Sequence, residues 1–418
     1  MLAGAPAALC QDLTLGRALE LAKANNGTVR SAYLNYEASR SNARAALSAY
    51  FPTLTPAYRY DTSRLDTMTG PMQGIFKDVT SDSSLSASWL LFDSGEREAS
   101  FRRSSYSRDG SERSALQTLR QTLFGVHNRF YEALRSEELL KVRQSQLARA
   151  EEIEKQTRVF AEAGAGPRKD TLQARADALN AKASELTARN RVTTARADLK
   201  AIIGLDIRDE LPGLSVPQEE QIEDVDYSLD QAFEHGFANR PDLAAQRFFV
   251  SSQSQSVRLS RLSSGLSWTI DARYDKAFSP SPFERSALVL LFTVPLFDAH
   301  RTRQNLRAAE LLLGADRASL QQSERDAVAE IESAYKEFSQ NIERLAASSA
   351  ALEAAKINYD AVFAARQAGA SELIELLTAQ VSLVTAESNY VEARYDTLIS
   401  RVRLKLATGR PLPGEQGQ

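Results

Sequence analysis

The chain has 418 residues, and its 51 lysines and arginines nearly balance its 54 aspartates and glutamates, giving a formal charge of −3. This balance argues against a dedicated nucleic-acid-binding protein, whose surface is basic. The only cysteine is Cys10, so an intramolecular disulfide and a thiolate metal cluster are excluded. No run of about 18 apolar residues occurs, so the sequence offers no candidate for a membrane-spanning helix.

Glycine and proline, the residues that interrupt helices, are scarce. The chain has 19 glycines and 13 prolines, where average usage would give roughly 29 and 21. Such a composition predicts long helices and argues against an all-β or loop-rich fold.

The chain begins with a small, apolar segment, MLAGAPAALC, that lacks the basic residues with which a secretory signal starts. We expect residues 1–12 to be the remnant of such a signal, and the alternative is an ordinary N-terminal tail.

A long internal duplication organises the rest of the chain. LTLGRALELAKANN, which starts at Leu13, resembles YSLDQAFEHGFANR, which starts 214 positions later at Tyr227. From the LFD triplets onward, at Leu91 and Leu296, the offset is 205 and holds as far as Gly204 and Gly409. We therefore predict two homologous repeats, residues 13–210 and 227–410, joined by a linker at 211–226 and followed by a C-terminal tail at 411–418.

Each repeat shows the same order of elements. The patterns predict helices over Leu13–Tyr50, Gly95–Ala163 and a segment ending at Ile203, and then over Leu229–Leu262, Ala299–Gln367 and Glu372–Thr408. Strands are predicted over Leu54–Asp61, Leu85–Leu91, Ser267–Asp275 and Ala287–Phe297. A polar stretch, Thr62–Ser83, separates the first two strands.

The two longest helices have heptad spacing, which is typical of a coiled-coil seam. Apolar residues of the first helix occur at Leu116, Leu119, Leu123, Val126 and Phe130. Such a helix, about 68 residues long, extends roughly 100 Å. The glycines Gly164, Gly166 and Gly369 break the helices, so each repeat is predicted to form a long helical hairpin. A soluble coiled coil remains an alternative.

The strands alternate in the manner of membrane strands, which need about 9 to 11 residues to cross a bilayer. The side chains predicted to lie in the membrane strands are Trp89, Leu91, Trp268, Ile270, Tyr274, Leu290 and Phe292. The fourth strand is apolar on both faces and fits this alternation poorly. Four strands cannot close a barrel, but three copies of the chain supply twelve.

Together these motifs give the sequence a resemblance to the TolC-type outer-membrane efflux channel family over nearly its whole length. The resemblance rests on the entry helices at Ala18-Leu19 and Ala232-Phe233, the two LFD segments, and the hairpin tips Phe160–Ala174 and Phe363–Gln380. It implies a mainly α fold with short membrane β-strands, in which each chain has duplicated long helical hairpins and two β-hairpins. A homotrimer would then form a 12-stranded β-barrel on a 12-helix α-barrel.

The resemblance also implies a function. The chain is expected to be an outer-membrane channel with a periplasmic helical extension, embedded in outer-membrane lipid. It would be a passive exit duct for drugs, small toxic molecules or secreted polypeptides. An inner-membrane pump, of the resistance-nodulation-division or the ABC type, would deliver them through a periplasmic membrane-fusion adaptor.

At the hairpin tips, the resemblance implies an acidic periplasmic entrance. Asp170 and Glu375, each six residues after a tip glycine, match family positions that narrow it. The alternative is that both acids lie in the first turn of a helix, where the helix dipole favours them. Ser371 occupies the position where an arginine partner for Asp170 is expected; Arg168 or Lys169 could replace it.

The sequence contains no phosphate-binding loop, nucleophile elbow or metal-binding pair, and its three histidines lie far apart. We therefore expect no enzymatic activity, no cofactor, no metal site and no nucleic-acid partner. Energy for transport would come from a partner protein. The alternative from another functional class is a soluble coiled-coil scaffold or adaptor with a small β-cap.

Overall fold

In a computed structural model, the structure describes residues 12–67, 74–164, 166–206, 208–209, 211–215 and 227–415. The predicted N-terminal tail up to residue 11, residues 216–226 of the predicted linker and the last three residues of the C-terminal tail lie outside these ranges. No helix in the described ranges is both long enough and apolar enough to cross a lipid bilayer.

The chain is mainly helical and carries one small antiparallel sheet. The first repeat contains α1 (Leu15–Asn25), α2 (Gly27–Ser48), β1 (Thr53–Thr67), β2 (Gly74–Phe92), α3 (Glu96–Glu162) and α4 (Arg168–Ile203). The second contains α5 (Leu229–Asn239), α6 (Pro241–Leu262), β3 (Ser267–Ser279), β4 (Phe283–Thr293), α7 (Arg301–Gln367) and α8 (Leu373–Ala407). The order of elements is the same in both repeats, and α3 and α7 have 67 residues each.

Both predicted entry helices are broken in the middle. In the first repeat, Asn26 has extended backbone angles, and its side-chain oxygen accepts a hydrogen bond from the Thr28 amide at 2.9 Å, which caps α2. In the second repeat, Arg240 ends α5 and Pro241 begins α6. Proline suits the first position of a helix because its missing N–H has no partner there.

Three of the strands, β1, β2 and β3, are longer than predicted, and β4 has the predicted length but begins and ends four residues earlier. β1 and β2 pair without interruption from Thr53 with Ser88 to Thr67 with Gly74, so most of the polar stretch Thr62–Ser83 is strand. β4 begins at Phe283, before the predicted Ala287. It ends at Thr293 and not at Phe297, since Pro295 has no amide hydrogen to donate to a ladder.

Two compact units divide the chain, and each combines parts of both repeats. The helical unit comprises Met1–Tyr33, Ser114–Asp242 and Ser323–Gln418. The sheet unit comprises Leu34–Arg113 and Leu243–Gln322. In the helical unit, the predicted heptad residues Leu123, Val126 and Phe130 are fully buried, which confirms the seam along α3.

The last helix of each repeat ends against the first helix of the same repeat. Gly204 follows α4 with a φ of +72°, and Gly409 follows α8 with a φ of +67°. A Cβ atom on Gly204 would lie 2.8 Å from the carbonyl carbon of Asn25, and one on Gly409 would lie 2.8 Å from that of Asn239. These contacts fix the positions of α1 and α5.

In the sheet unit, the LFD triplets mark the start of the two long helices. The Asp93 carboxylate is buried and accepts hydrogen bonds from the Arg97 amide at 2.7 Å and from Arg97 Nε at 3.0 Å. The Asp298 carboxylate accepts hydrogen bonds from the Thr302 hydroxyl at 2.5 Å and from the Thr302 amide at 2.8 Å, and these two bonds lower the pKa of the carboxyl group. Asp93 thus caps α3 directly after β2, and Asp298 caps α7 five residues after the end of β4.

Candidate functional site

The two glycine turns at the tip of the helical unit join α3 to α4 and α7 to α8. Gly164 and Gly369 have φ values of +72° and +73°, in the left-handed region that favours glycine. After Gly369, the Ala370 amide donates to the Ala365 carbonyl at 2.9 Å, which closes α7. Both turns therefore lie where the sequence predicts them, and Gly166 packs closely under Phe160.

The two candidate entrance acids lie at the start of the returning helices. Asp170 is in the first turn of α4, and Glu375 is in the first turn of α8. The helix dipole stabilises an acid there. The alternative explanation, that each acid lies in the first turn of a helix where the dipole favours it, therefore applies to both residues. This placement is compatible with an entrance role, which requires a second property: access of the carboxylate to the permeating ion. Glu375 is exposed, whereas Asp170 is partly buried.

The cation paired with Asp170 is Arg366, in the last turn of α7, and not Arg168 or Lys169, the two possible substitutes that the sequence offered. Arg366 Nη2 lies 3.8 Å from Asp170 Oδ2, and Arg366 Nη1 donates to the carbonyl oxygen of Ser371 at 3.0 Å. Both side chains of the ion pair are partly buried. One guanidinium group thus connects the first hairpin to the turn of the second.

Ser371 has a different role from the arginine that the resemblance leads one to expect at its position. Its hydroxyl donates to Glu375 Oε2 at 2.5 Å, which orients the carboxylate across the first turn of α8. Arg366 was not among the residues predicted from the sequence, because those candidates all follow a tip glycine and Arg366 lies three residues before Gly369.

Beneath these polar groups the tip has its own apolar core. Ile153, Ala174, Leu373 and Leu376 are buried together, one or more from each of α3, α4 and α8, and Tyr359 of α7 packs against them. The Thr171 hydroxyl also donates to the Thr157 carbonyl at 3.3 Å, joining α4 to α3. The four helices therefore position Asp170, Arg366 and Glu375 on a packed base.

The second candidate site is one face of the sheet, whose strand order is β1-β2-β3-β4. Across this face, Trp89 pairs with Ile270, which pairs with Leu290, and Trp268 pairs with Phe292. The Trp268 ring lies 5.2 Å from that of Phe292 and 5.4 Å from that of Phe92. Tyr274 lies on the same face opposite Leu85. A continuous aromatic and aliphatic surface is the result.

Among the side chains predicted to lie in the membrane strands, Leu91 is the one that does not continue the alternation of apolar and polar residues. The register between β2 and β3 shifts between Leu90 and Phe92, so that Phe92 pairs with Trp268. An irregularity of this kind cannot be read from alternating hydrophobicity, because one extra residue changes the face of everything after it.

The opposite face of the sheet is polar on two of its strands. It carries Ser84, Ser86 and Ser88 on β2, and Thr269, Asp271, Arg273 and Asp275 on β3. Arg273 Nε donates to Asp275 Oδ1 at 2.6 Å. On β4 this face is apolar, with Val289 and Leu291, as the sequence pattern predicts. Among the residues that the structure describes, β1 and β4 each have one neighbouring strand, so both edges of the sheet are open there.

Comparison with known proteins gives a consistent match. The model of the outer membrane efflux protein family matches residues 18–205 and 236–410. The outer membrane efflux protein BepC of Brucella suis biovar 1 (strain 1330) is 23% identical over 419 aligned positions, covering 98% of this chain and 88% of that protein. Protein CyaE of Bordetella pertussis (strain Tohama I) is 25% identical, covering 92% and 82%. The structure of the Campylobacter jejuni CmeC outer membrane channel superposes with a TM-score of 0.85 at 16% identity, covering 96% of this chain and 87% of CmeC.

Proposed function

The chain belongs to the outer membrane efflux protein family, and from this premise we propose that it works as a homotrimeric exit duct. It is an outer-membrane efflux channel with a periplasmic helical part. In the proposed assembly, three four-stranded sheets close into a 12-stranded barrel, and the long helices of the three chains form a barrel of twelve helices. Such a channel does no chemistry, so its transport is driven by an inner-membrane pump, of the resistance-nodulation-division or ABC type, through a periplasmic adaptor.

The single observation that carries this proposal is the sheet with its apolar face and two open edges. An open edge leaves backbone N–H and C=O groups unpaired. Placing each such group in hydrocarbon costs roughly several kcal/mol. Pairing β4 of one chain with β1 of the next removes every edge at once. Trp89, Trp268, Leu290 and Phe292 would then face the lipid.

We propose further that the tip is the periplasmic gate. The Arg366–Asp170 ion pair joins the two hairpins of a chain, so the hairpins move apart only when it breaks. Three symmetry-related copies of Glu375, each oriented by Ser371, would surround the entrance with negative charge, which favours cations. This arrangement holds the entrance narrow until a partner opens it.

Reconstitution into planar lipid bilayers tests both parts of the proposal. We expect cation-selective channels from the native protein and a higher conductance from Arg366→Gln, which removes the charge that faces Asp170. Arg168→Gln, an exposed arginine of the same tip, is the matched control and should leave conductance unchanged.

The outcomes separate the possibilities. Equal conductance of Arg366→Gln and Arg168→Gln would show that the ion pair does not hold the gate. A protein that stays monomeric and soluble without detergent, and conducts no ions, would be the coiled-coil scaffold instead.

A further inference from the structure

Positive charge is concentrated where the helices of the sheet unit meet the sheet. The eight residues of each helix that are nearest the sheet in the chain are 41–48 of α2, 96–103 of α3, 255–262 of α6 and 301–308 of α7. Together these four segments, which we call the collar, hold nine arginines and two glutamates, a net charge of +7. The next eight residues of each helix hold three arginines and four acids, a net charge of −1. The excess is therefore confined to about two turns of each helix.

Most arginines of the collar have no acidic partner in the chain. Three of the nine form ion pairs, and the closest of these joins Arg102 Nε to Glu98 Oε1 at 2.5 Å. Five others are exposed and form no ion pair with any residue that the structure describes: Arg44, Arg103, Arg258, Arg303 and Arg307. A second copy of the chain carries the same excess, so a trimer crowds these charges together and does not neutralise them. The collar therefore needs anionic groups from outside the protein.

Part of the collar lies at the end of the apolar face of the sheet. The indole N–H of Trp89, a residue of that face, donates to the Tyr50 carbonyl at 3.1 Å. The Tyr50 hydroxyl donates to Glu98 Oε2 at 3.0 Å, and Arg102 Nε donates to the other oxygen of the same carboxylate. These hydrogen bonds, and then the charge of Arg258, lower the pKa of the Glu98 carboxyl group. Arg102 and Arg258 are thus grouped beside the aromatic residues that end the apolar face.

Both repeats contribute arginines to the collar. Arg44 of α2 and Arg258 of α6 occupy equivalent positions, 214 residues apart. Arg102 of α3 and Arg307 of α7 are likewise equivalent, 205 residues apart. Because all four helices carry the charge, three copies of the chain would continue it around the whole circumference of the proposed barrel.

The position of the collar favours phospholipid headgroups as the source of these anionic groups. The collar extends about 12 Å along each helix, and the headgroup layer adds roughly 5–8 Å on each side of the hydrocarbon core. The long arginine side chains therefore reach the phosphate groups that border the apolar face. The guanidinium group binds phosphate through two parallel hydrogen bonds, and every basic residue of the collar is an arginine.

We propose that the collar binds the phosphate groups of anionic phospholipids in the leaflet nearest the helices. Clusters of basic residues beside a membrane are attracted to anionic lipids, and salt weakens this attraction. This inference rests on the proposed barrel, whose sheets span the membrane, and adds the class of lipid that the barrel prefers.

Tryptophan fluorescence measures this preference in the full-length protein, because Trp89 and Trp268 both lie at the collar end of the apolar face. The protein is reconstituted into vesicles that contain brominated phosphatidylglycerol or brominated phosphatidylcholine. The ratio of the two lipid-binding constants follows from the quenching by each. We expect the native protein to prefer phosphatidylglycerol at low salt, and we expect the preference to disappear at 1 M salt, where the screening length is about 3 Å.

Substitutions locate the preference on the collar. Arg258→Gln with Arg307→Gln should lower the ratio of binding constants about five-fold for each charge removed. Arg258→Lys with Arg307→Lys keeps both charges and should retain most of the preference. Arg113→Gln with Arg317→Gln is the matched control, because both arginines are exposed and lie about 14 Å beyond the collar on α3 and α7. The control should leave the ratio unchanged.

The outcomes separate this inference from the proposed function. Equal quenching of the native protein by the two lipids would overturn the inference, leave the proposed function standing and make an acidic protein the partner of the collar. Equal effects of the collar variant and the control would also overturn it. Absence of quenching by either lipid would place the sheet outside the membrane and overturn both.

Discussion

Gly204 and Gly409 are positions where two separate requirements exclude other residues. Each has a positive φ, which costs an L-residue about 1–2 kcal/mol. Each also approaches the backbone of a neighbouring helix so closely that a Cβ atom would be 2.8 Å from it. Gly164 has the same φ as Gly204 but open space around it, so the two requirements can be separated.

Gly204→Ala should therefore destabilise the protein more than Gly164→Ala. The second substitution adds only backbone strain, whereas the first also displaces the end of α1 and the hydrogen bond from Asn26 Nδ2 to the Ile202 carbonyl, 2.8 Å long. Urea unfolding followed by circular dichroism measures both. Equal shifts of the two midpoints would contradict the steric argument.

At the scale of elements, the contact between α3 and α8 is held by a buried hydroxyl. Tyr395 is 1% exposed, and its hydroxyl donates to Glu138. Burial, and then the neighbouring carboxylate, raise the pKa of Tyr395 above its usual value of 10.0, because both oppose a phenolate. The protonated form is thus favoured in the folded chain.

This gives a pH dependence with a definite sign. Since the pKa of Tyr395 is raised on folding, its contribution to stability is complete below pH 10.0 and is lost as the pH rises above that value. Urea midpoints measured from pH 8 to 11 should fall less steeply at the alkaline end for Tyr395→Phe. At pH 8 the free energy of unfolding of that variant should also be about 1 kcal/mol lower, because the hydrogen bond to Glu138 is removed. If the dependence of the urea midpoint on pH is the same for Tyr395→Phe and the native protein, Tyr395 is not the source of the alkaline loss of stability. Tyr390→Phe on the same helix is the control.

The first turn of α8 gives a prediction for conduction. Glu375→Gln keeps the shape of the side chain and removes its charge, so the single-channel conductance should change at low cation concentration. Glu372→Gln, also exposed and three residues earlier, is the control. If Glu375 merely complements the helix dipole, Glu375→Gln would lower stability slightly and leave cation selectivity in planar bilayers unaltered.

At the scale of the whole molecule, the two tryptophans provide a specific probe. The chain has two, Trp89 and Trp268, and both lie on the apolar face of the sheet. Intrinsic tryptophan fluorescence therefore reports on that face alone.

In vesicles, brominated lipids should quench this fluorescence and iodide in water should not. Trp89→Phe and Trp268→Phe should each leave a signal that the lipids still quench, because both rings face the same side. Quenching by iodide without quenching by brominated lipid would place the sheet in water and favour the scaffold.

How far the sequence predicts this structure depends on the kind of interaction. The long helices and their turns were predictable because heptads and positive-φ glycines are local signals, as at Leu123, Phe130 and Gly369. The extension of β1 and β2 through polar residues was not, since backbone pairing needs no side-chain pattern. Arg366 was missed for a different reason: the candidate partners of Asp170 all followed a tip glycine, whereas Arg366 lies on the helix before Gly369.

The division into two discontinuous units has a consequence for biosynthesis. The helical unit needs Leu13 near the beginning, Phe130 in the middle and Leu412 near the end, all buried in one core. Arg120 makes an ion pair with Glu415 at 2.7 Å, between residues 295 positions apart. A nascent chain therefore lacks part of this core until Leu412 and Glu415 have been synthesised. A chain truncated before Leu412 would contain the seam of α3 and still lack one member of its core.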